Sequence, residues 1–280
     1  MTTSPAHPGK GSAQVFVPRE HGAMAMLLTP FFAAAILLRE FYWTELIALI
    51  AIACAFAIKD PLVVMARQRF IWKQEHAETE AAKKSASVEA VLLVVCGLAL
   101  IAVRDWRPFA ALFIGAGAFT VLAVTLNVRN RQRSEWFQVA SAIALSATSL
   151  AACLAARGAI PDWCWLLWML CALQAAAGIF VVHARLDARV AARKGQPPPA
   201  ENRRAAFLCQ AILIAAAVAF GFAGRPWISA ALVLAAVGYL VELRRQTHLS
   251  SLQMPLKTVG LQAMSLSIAY ALLVIAGLWR

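Results

Sequence analysis

The sequence predicts an all-α polytopic membrane protein: nine transmembrane helices in a single bundle, N-terminus inside and C-terminus outside. Three observations carry that prediction. Of 280 residues, 61% are hydrophobic and only 14% are charged, where soluble domains hold roughly 45–50% and about 25%. Nine apolar stretches approach the roughly 17–25 residues that a bilayer core demands of a helix. The net charge is nevertheless +12, from 26 Lys and Arg against 14 Asp and Glu, and those basic residues alternate along the chain. High apolarity with high basicity is contradictory for a water-soluble globule, and it excludes disorder, coiled coil and a secreted disulfide scaffold.

The elements follow in order. Residues 1–17 are polar and carry Pro5, Pro8, Gly9 and Gly11; they lack the apolar run of a signal peptide and read as a cytoplasmic tail. Residues 18–280 read as one nine-helix domain. Its spans lie near 22–38, 43–66, 88–103, 108–126, 136–156, 163–182, 205–223, 227–241 and 258–278. Only four residues separate the first two spans, which implies a tight helical hairpin. Long connections are expected inside at about 67–87 and 184–204, and the outer connections are a few residues each. Long and short inner loops recur every four helices, as in two units related by an axis along the membrane normal. Twenty of the 26 Lys and Arg fall on the inner connections, and positive charge marks the cytoplasmic side. Tryptophan agrees: Trp43, Trp106, Trp163, Trp165, Trp227 and Trp279 lie at outer span ends and Trp72 and Trp136 at inner ones. Indole favours the headgroup level, and only Trp168 falls inside a span. The six cysteines lie in apolar stretches without a CxxC pair, which reads as buried small hydrophobes and not as a metal or disulfide framework.

Chemistry concentrates at the inner face. Arg19, Glu20 and His21 open the first span, and Asp60 and Arg67 lie toward the end of the second. Asn127 follows the fourth, Glu135 precedes the fifth, and His183, Arg185 and Asp187 follow the sixth. Gathered by one bundle, these groups form a polar mouth above an apolar cavity. Arginine forks suit phosphate or carboxylate, so the mouth fits an anionic head on an apolar tail. The alternative for any single Arg is topology alone, with the side chain meeting anionic headgroups of the bilayer. His21 is a proton-shuttle candidate or a helix-start anchor. His183 and Asp187 share a helix face at four-residue spacing, but one His and one Asp are too few to hold a metal. Span centres carry amides and hydroxyls, Gln174 and Gln210 among them, and almost no charge beyond Glu45 near an outer end. Intramembrane charges usually mark ion pathways, so an ion-coupled pump is disfavoured. No nucleotide loop, zinc motif or Ser-His-Asp order occurs. Because the basic charge is distributed by topology, it does not read as nucleic-acid binding.

The string Pro18-Arg19-Glu20-His21-Gly22-Ala23-Met24-Ala25-Met26-Leu27, followed by Pro30, resembles the entry signature of the YwiC-like family of bacterial membrane proteins, which usually has an aromatic residue where Met24 stands. Arg133-Ser134-Glu135 and Val259-Gly260 extend the likeness. The resemblance implies a multi-pass protein of the bacterial inner membrane. More distantly, the layout resembles the UbiA superfamily of intramembrane prenyltransferases, whose nine helices have an inside N-terminus and long inner connections after helices 2 and 6. That likeness implies a UbiA-like bundle with an isoprenoid or lipid ligand at a cytoplasm-facing cavity. The superfamily's Asp-rich magnesium motifs, laid on this chain, meet Lys59-Asp60, Val63 and Arg67, then His183 and Asp187, so one carboxylate survives in each. Magnesium, which needs several carboxylate oxygens, is thereby disfavoured as a cofactor, and any enzyme here would be a transferase with degenerate motifs. A small-solute permease with a polar track near Gln174 and Gln210, and a non-catalytic membrane assembly factor whose protein partners the sequence does not name, remain the alternatives.

Overall fold

The computed structural model describes residues 21–74, 78–132 and 134–279; the side chains of residues 21, 256 and 257 fall outside that description. The described chain is helical with no strand. Its elements are α1 (His21–Leu38), α2 (Trp43–Ala57), α3 (Lys59–Arg67) with a π turn at Gln68–Trp72, α4 (Glu78–Val103), α5 (Trp106–Val128), α6 (Glu135–Ser146), α7 (Thr148–Arg157), α8 (Asp162–Lys194), α9 (Ala200–Phe222), α10 (Pro226–Arg245), the short α11 (Leu249–Leu252) and α12 (Leu256–Leu278). Among the described residues, eight helical stretches are long and apolar enough to cross a membrane, counting α2 with α3 and α6 with α7 as continuous spans. The stretch Gly22–Leu38 is apolar but shorter. Most of the surface of α4, α5 and α12 is apolar and exposed: Val91, Val94, Leu98, Ile114, Val121 and Leu272 all face outward, as lipid contact requires.

Helix continues where the sequence reads as connection. The stretch 184–194 prolongs α8, and α4 begins at Glu78. Both extensions are rich in Ala, Arg, Lys and Glu, which favour helix even when no longer apolar. A buried hydrogen bond from Thr79 Oγ1 to Gln68 Oε1 holds the start of α4 on the π turn.

Each mid-span break has an identifiable cause. Pro61 has no N–H to offer the carbonyl of Ala57, and the chain changes helix at Ile58. In α1, Pro30 interrupts the ladder in the same way, and Thr148 Oγ1 donates to the neighbouring Leu27 carbonyl at 2.7 Å. Hydroxyls and neighbouring helices commonly re-satisfy backbone freed by intramembrane proline. Between α6 and α7 there is no proline. Instead the Ala147 N–H donates to Ala144 O at 3.1 Å, and Ser146 and Ser149 bond back to Ala142 O and Ser146 O. Such back-bonding bends helices. The tightened turn leaves Ile143 O without its Ala147 donor, and Trp168 Nε1 takes that place at 3.0 Å. The one tryptophan inside a span therefore satisfies a backbone carbonyl that the bend releases.

α8 lies at the centre, packed by α6, α7, α9, α10 and α1. Leu167, Leu170, Leu213, Ile228, Leu232, Tyr270 and Val274 are fully buried around it. Small residues set the approach distances. A Cβ on Gly178 of α8 would lie 2.7 Å from Tyr239 Oη, and that hydroxyl is held by Gln174 Nε2 at 2.6 Å. The tyrosine cannot simply retreat, so Gly178→Ala is expected to destabilise the fold by about 1–3 kcal/mol through overpacking. A thermal unfolding series in detergent checks this, with Gly115→Ala, where nothing lies within 4 Å, expected to be close to neutral.

One end of the bundle is tied by side chains that cap backbone carbonyls. Thr44 Oγ1 and Arg104 Nε both donate to Ala155 O, at 2.7 and 3.2 Å, and Arg104 also reaches Ala156 O. Arg157 donates to Leu38 O at 3.2 Å. The α1–α2 connection is as short as expected, but it does not form a packed hairpin: α1 and α2 each lie against α7 and hardly touch each other. Arg39 of that connection, at φ 64, places its guanidinium 4.6 Å from the Trp279 ring centroid, a cation–π contact with the end of α12.

Candidate functional site

A cavity of about 890 Å³ lies between α1, α2, α4, α5, α6 and α7, with α8 contributing only Ile179. Pockets for small ligands generally fall between about 300 and 1,000 Å³. Its walls are alanine and large apolar residues such as Ile52, Phe109, Phe113 and Leu145. The three hydroxyls within its walls are spent on backbone carbonyls: Thr120 Oγ1 donates to Ala116 O at 2.9 Å, Ser141 Oγ to Phe137 O at 2.8 Å and Thr148 Oγ1 to Leu27 O of α1 at 2.7 Å. A helical Ser or Thr bonded to the preceding turn presents little polarity to its surroundings. The body of the cavity is therefore apolar in effect.

Polarity is confined to one end, where α1, α3 and α6 begin and α5 finishes. Lys59, Asn127, Gln132 and Gln138 line that end. Donor and acceptor roles there follow from Arg67, which can only donate. Its guanidinium reaches Asn127 Oδ1 at 2.8 Å and Asn127 O at 3.2 Å. That contact turns the Asn127 amide nitrogen toward Gln132, whose Oε1 accepts it. The relay leaves Gln132 with an NH₂ to offer. On the facing helix, His183 Nε2 lies 3.0 Å from Gln138 Oε1, which likewise leaves the Gln138 NH₂ for another acceptor. Lys59 adds a cation; its Nζ stands 3.8 Å from Asp60 and 5.4 Å from the Phe56 ring. The mouth thus presents donors.

The sequence-derived candidates divide into three groups. Asn127 lines the cavity, and Arg67, Asp60 and His183 stand one contact behind lining residues. Arg185 and Asp187 have their partners elsewhere. Arg185, 3% exposed, donates to Glu242 Oε1 on α10 and to Ser251 O on α11, while Asp187 Oδ2 accepts from Asn202 on α9 at 2.7 Å. His183 and Asp187 stand one turn apart on the same face of α8, yet the first meets α6 and the second α9, and they do not share a partner. Glu135 begins α6 beyond Ser134, a placement that suits the positive end of a helix. Arg19 and Glu20 lie outside the described residues, as does the side chain of His21, the first residue of α1. Lys59, Gln132 and Gln138 were missed because lone amides and a single helical lysine carry no motif. The one available signal is position: Gln138 sits three residues after Glu135, on the first turn of a span.

This donor set does not fit a magnesium–diphosphate centre. Among the described residues no carboxylate lines the cavity, and Asp60, the nearest by sequence, faces Lys59. Magnesium is held through carboxylates and substrate phosphates, so no step is assigned to it. Of the amides that a permeation track would need, Gln174 bonds Tyr239 and, at 3.0 Å, Ser267, while Gln210 donates to Ala206 O of its own helix and keeps its buried Oε1 without a hydrogen-bond partner among the described residues.

Neither the curated proteins nor the solved structures contain a match to this chain. The family model described as YwiC-like protein matches residues 17–153. Every residue lining the cavity except Ile179 falls within that segment. The YwiC-like character implied by the Pro18–Pro30 string is thereby shown over residues 17–153, and the segment that carries it also builds the cavity.

Proposed function

We propose that this chain is a nine-span protein of the bacterial cytoplasmic membrane that binds an amphipathic anionic lipid or isoprenoid in the α1–α7 cavity. The ninth span in this reading is the short helix Gly22–Leu38. The basic connections face the cytoplasm, as positive charge does in polytopic proteins, which puts the N-terminus and the cavity mouth inside and the C-terminus outside. The observation that carries the reading is the arrangement of polarity: an apolar chamber of about 890 Å³ whose polar groups stand at one end as donors. A carboxylate or phosphate head is acceptor-only, and it complements Lys59 and the amide NH₂ groups of Gln132 and Gln138. Its tail occupies the walls of Ala51, Ile52, Phe113 and Leu145.

The experiment is native mass spectrometry and lipid extraction of protein purified in mild detergent, with thermal shift on adding a fatty acid or an isoprenoid phosphate. Retained anionic lipid and a raised Tm support the reading. Protein free of lipid that shows no shift with either ligand overturns it. Lys59→Glu reverses the one cationic group of the lining, so retention of the anionic ligand is expected to fall about tenfold, near 1.4 kcal/mol, while a neutral lipid of the same tail is retained as before. Equal retention of the two lipids by both proteins would remove Lys59 from the head-binding role.

A further inference from the structure

Cys153 of α7 and Cys164 of α8 meet at the opposite end of the bundle from the cavity mouth. Their sulfurs lie 2.9 Å apart. Cys164 Sγ in turn stands 3.2 Å from Ser149 O, and both residues are fully buried. A disulfide is about 2.0 Å long and demands opposed side chains on closely spaced backbones. Two helices joined by a short turn at residues 158–161 meet that demand here. The other cysteines make no sulfur–sulfur approach of this kind. The sequence alone gives no hint, because the eleven-residue spacing resembles no framework.

We propose that Cys153 and Cys164 form a redox-linkable pair, a modification site that fastens α7 to α8. The bond forms when a disulfide-bearing oxidant at the outer face accepts two electrons. One cysteine thiolate attacks the oxidant's disulfide, releasing one of its thiols and giving a mixed disulfide. The second cysteine then displaces the remaining oxidant sulfur, so both protein thiol protons leave and the oxidant departs as two thiols. Oxidising compartments sustain such bonds, and the pair lies at the outer ends of both helices in the topology read from charge. Complete burial gives the finished bond its protection from reductants, and it restricts formation to insertion and folding, before the two helices close on each other. The consequence falls on the cavity: α7 supplies Ala147, Thr148 and Ala151 to its wall, and Cys153 is the last residue of the YwiC-like match. The bond would hold that wall to the C-terminal half of the bundle.

Trapping decides it. Cells are quenched in acid, and the protein is denatured and alkylated without reductant, then digested for mass spectrometry. The expected result is a Cys153–Cys164 linked peptide lighter by two hydrogens than its reduced components, with Cys54, Cys96, Cys171 and Cys209 alkylated. A phosphine reductant added after denaturation should abolish the linked peptide. Refolding in its presence should lower the Tm of wild-type protein and leave that of Cys153→Ser unchanged. Full alkylation of both residues in quenched cells, persisting after the protein is refolded into detergent with oxidised glutathione, would overturn the proposal. So would a linked peptide joining either residue to another cysteine. Cys164→Ala serves as the second variant, so that the failure of one substitution to fold leaves the other to report.

Discussion

Arg185→Met is expected to destabilise the protein by about 3–5 kcal/mol, the usual cost of breaking a buried ion pair by removing one partner. Arg185 is 3% exposed and joins three helices, donating to Glu242 of α10 and to the Ser251 carbonyl at α11. Its removal strands the Glu242 carboxylate against Gln246, whose Nε2 also holds Val181 O at 3.1 Å. Methionine fills much of the stem's volume, so the loss is electrostatic more than steric. The paired change Arg185→Met with Glu242→Leu should recover most of the stability, because replacing both ions with apolar groups removes the uncompensated charge. Thermal unfolding in detergent measures both. A single variant as stable as wild type, or a double variant no better than the single, would refute the structural role. Lipid retained per folded molecule should be unchanged in either, since neither residue lines the cavity. That readout separates Arg185 from the head-binding role its sequence position implied.

The contrast between Arg185 and Asn127 shows what the sequence could express. Eight membrane-crossing helices were legible because long apolar runs admit few alternatives, although α4 and α8 extend well past the limits the apolar residues set, and Trp168 stood out as the one indole away from an interface. The break at Ile58 follows from Pro61, and the missing backbone bond inside the continuous α1 follows from Pro30; both prolines are plain in the sequence. The bend at Ala147 was hidden: it arises from Ser146 and Ser149 bonding backward, a choice those hydroxyls also decline in many straight helices. The site was legible only as a face. Charge alternation identified which ends to compare, yet the neighbour each side chain meets was not available from spacing alone: helical rotation turns Arg185 roughly 200° away from His183 and Asp187, and those two, on one face, meet different helices. His183 turns to Gln138, while Arg185 turns to Glu242. The apparent Asp-rich register through Asp60 and Asp187 therefore joins a residue beside Lys59 of its own helix to one bonded to Asn202 of α9. The features that define the mouth, Gln132 and Gln138, acquire their donor character only through what they bond, and no single-residue property encodes that.

Filling the cavity should abolish ligand retention without unfolding the protein. Ala55 on α2 and Ala116 on α5 both line the chamber, and tryptophan at either site would extend an indole into it. Overpacking a tight core costs about 1–3 kcal/mol, but here the added ring enters open volume and displaces ligand instead of neighbours. Each substitution is expected to lower retained lipid by about tenfold or more, equivalent to at least roughly 1.4 kcal/mol of binding, with an unfolding temperature in ligand-free detergent within a few degrees of wild type. The double variant should retain none. Two walls are tested because a ligand lying along only one of them would respond to one substitution and ignore the other. A polar control separates tail from head: Gln132→Leu removes the donor that the Arg67–Asn127 relay directs outward, and it should weaken anionic ligands selectively, whereas the tryptophan variants should weaken anionic and neutral lipids alike. If the tryptophan variants fold and hold lipid as wild type does, the bound lipid sits on the outer surface of the bundle, and the chamber between α1 and α7 is not its site.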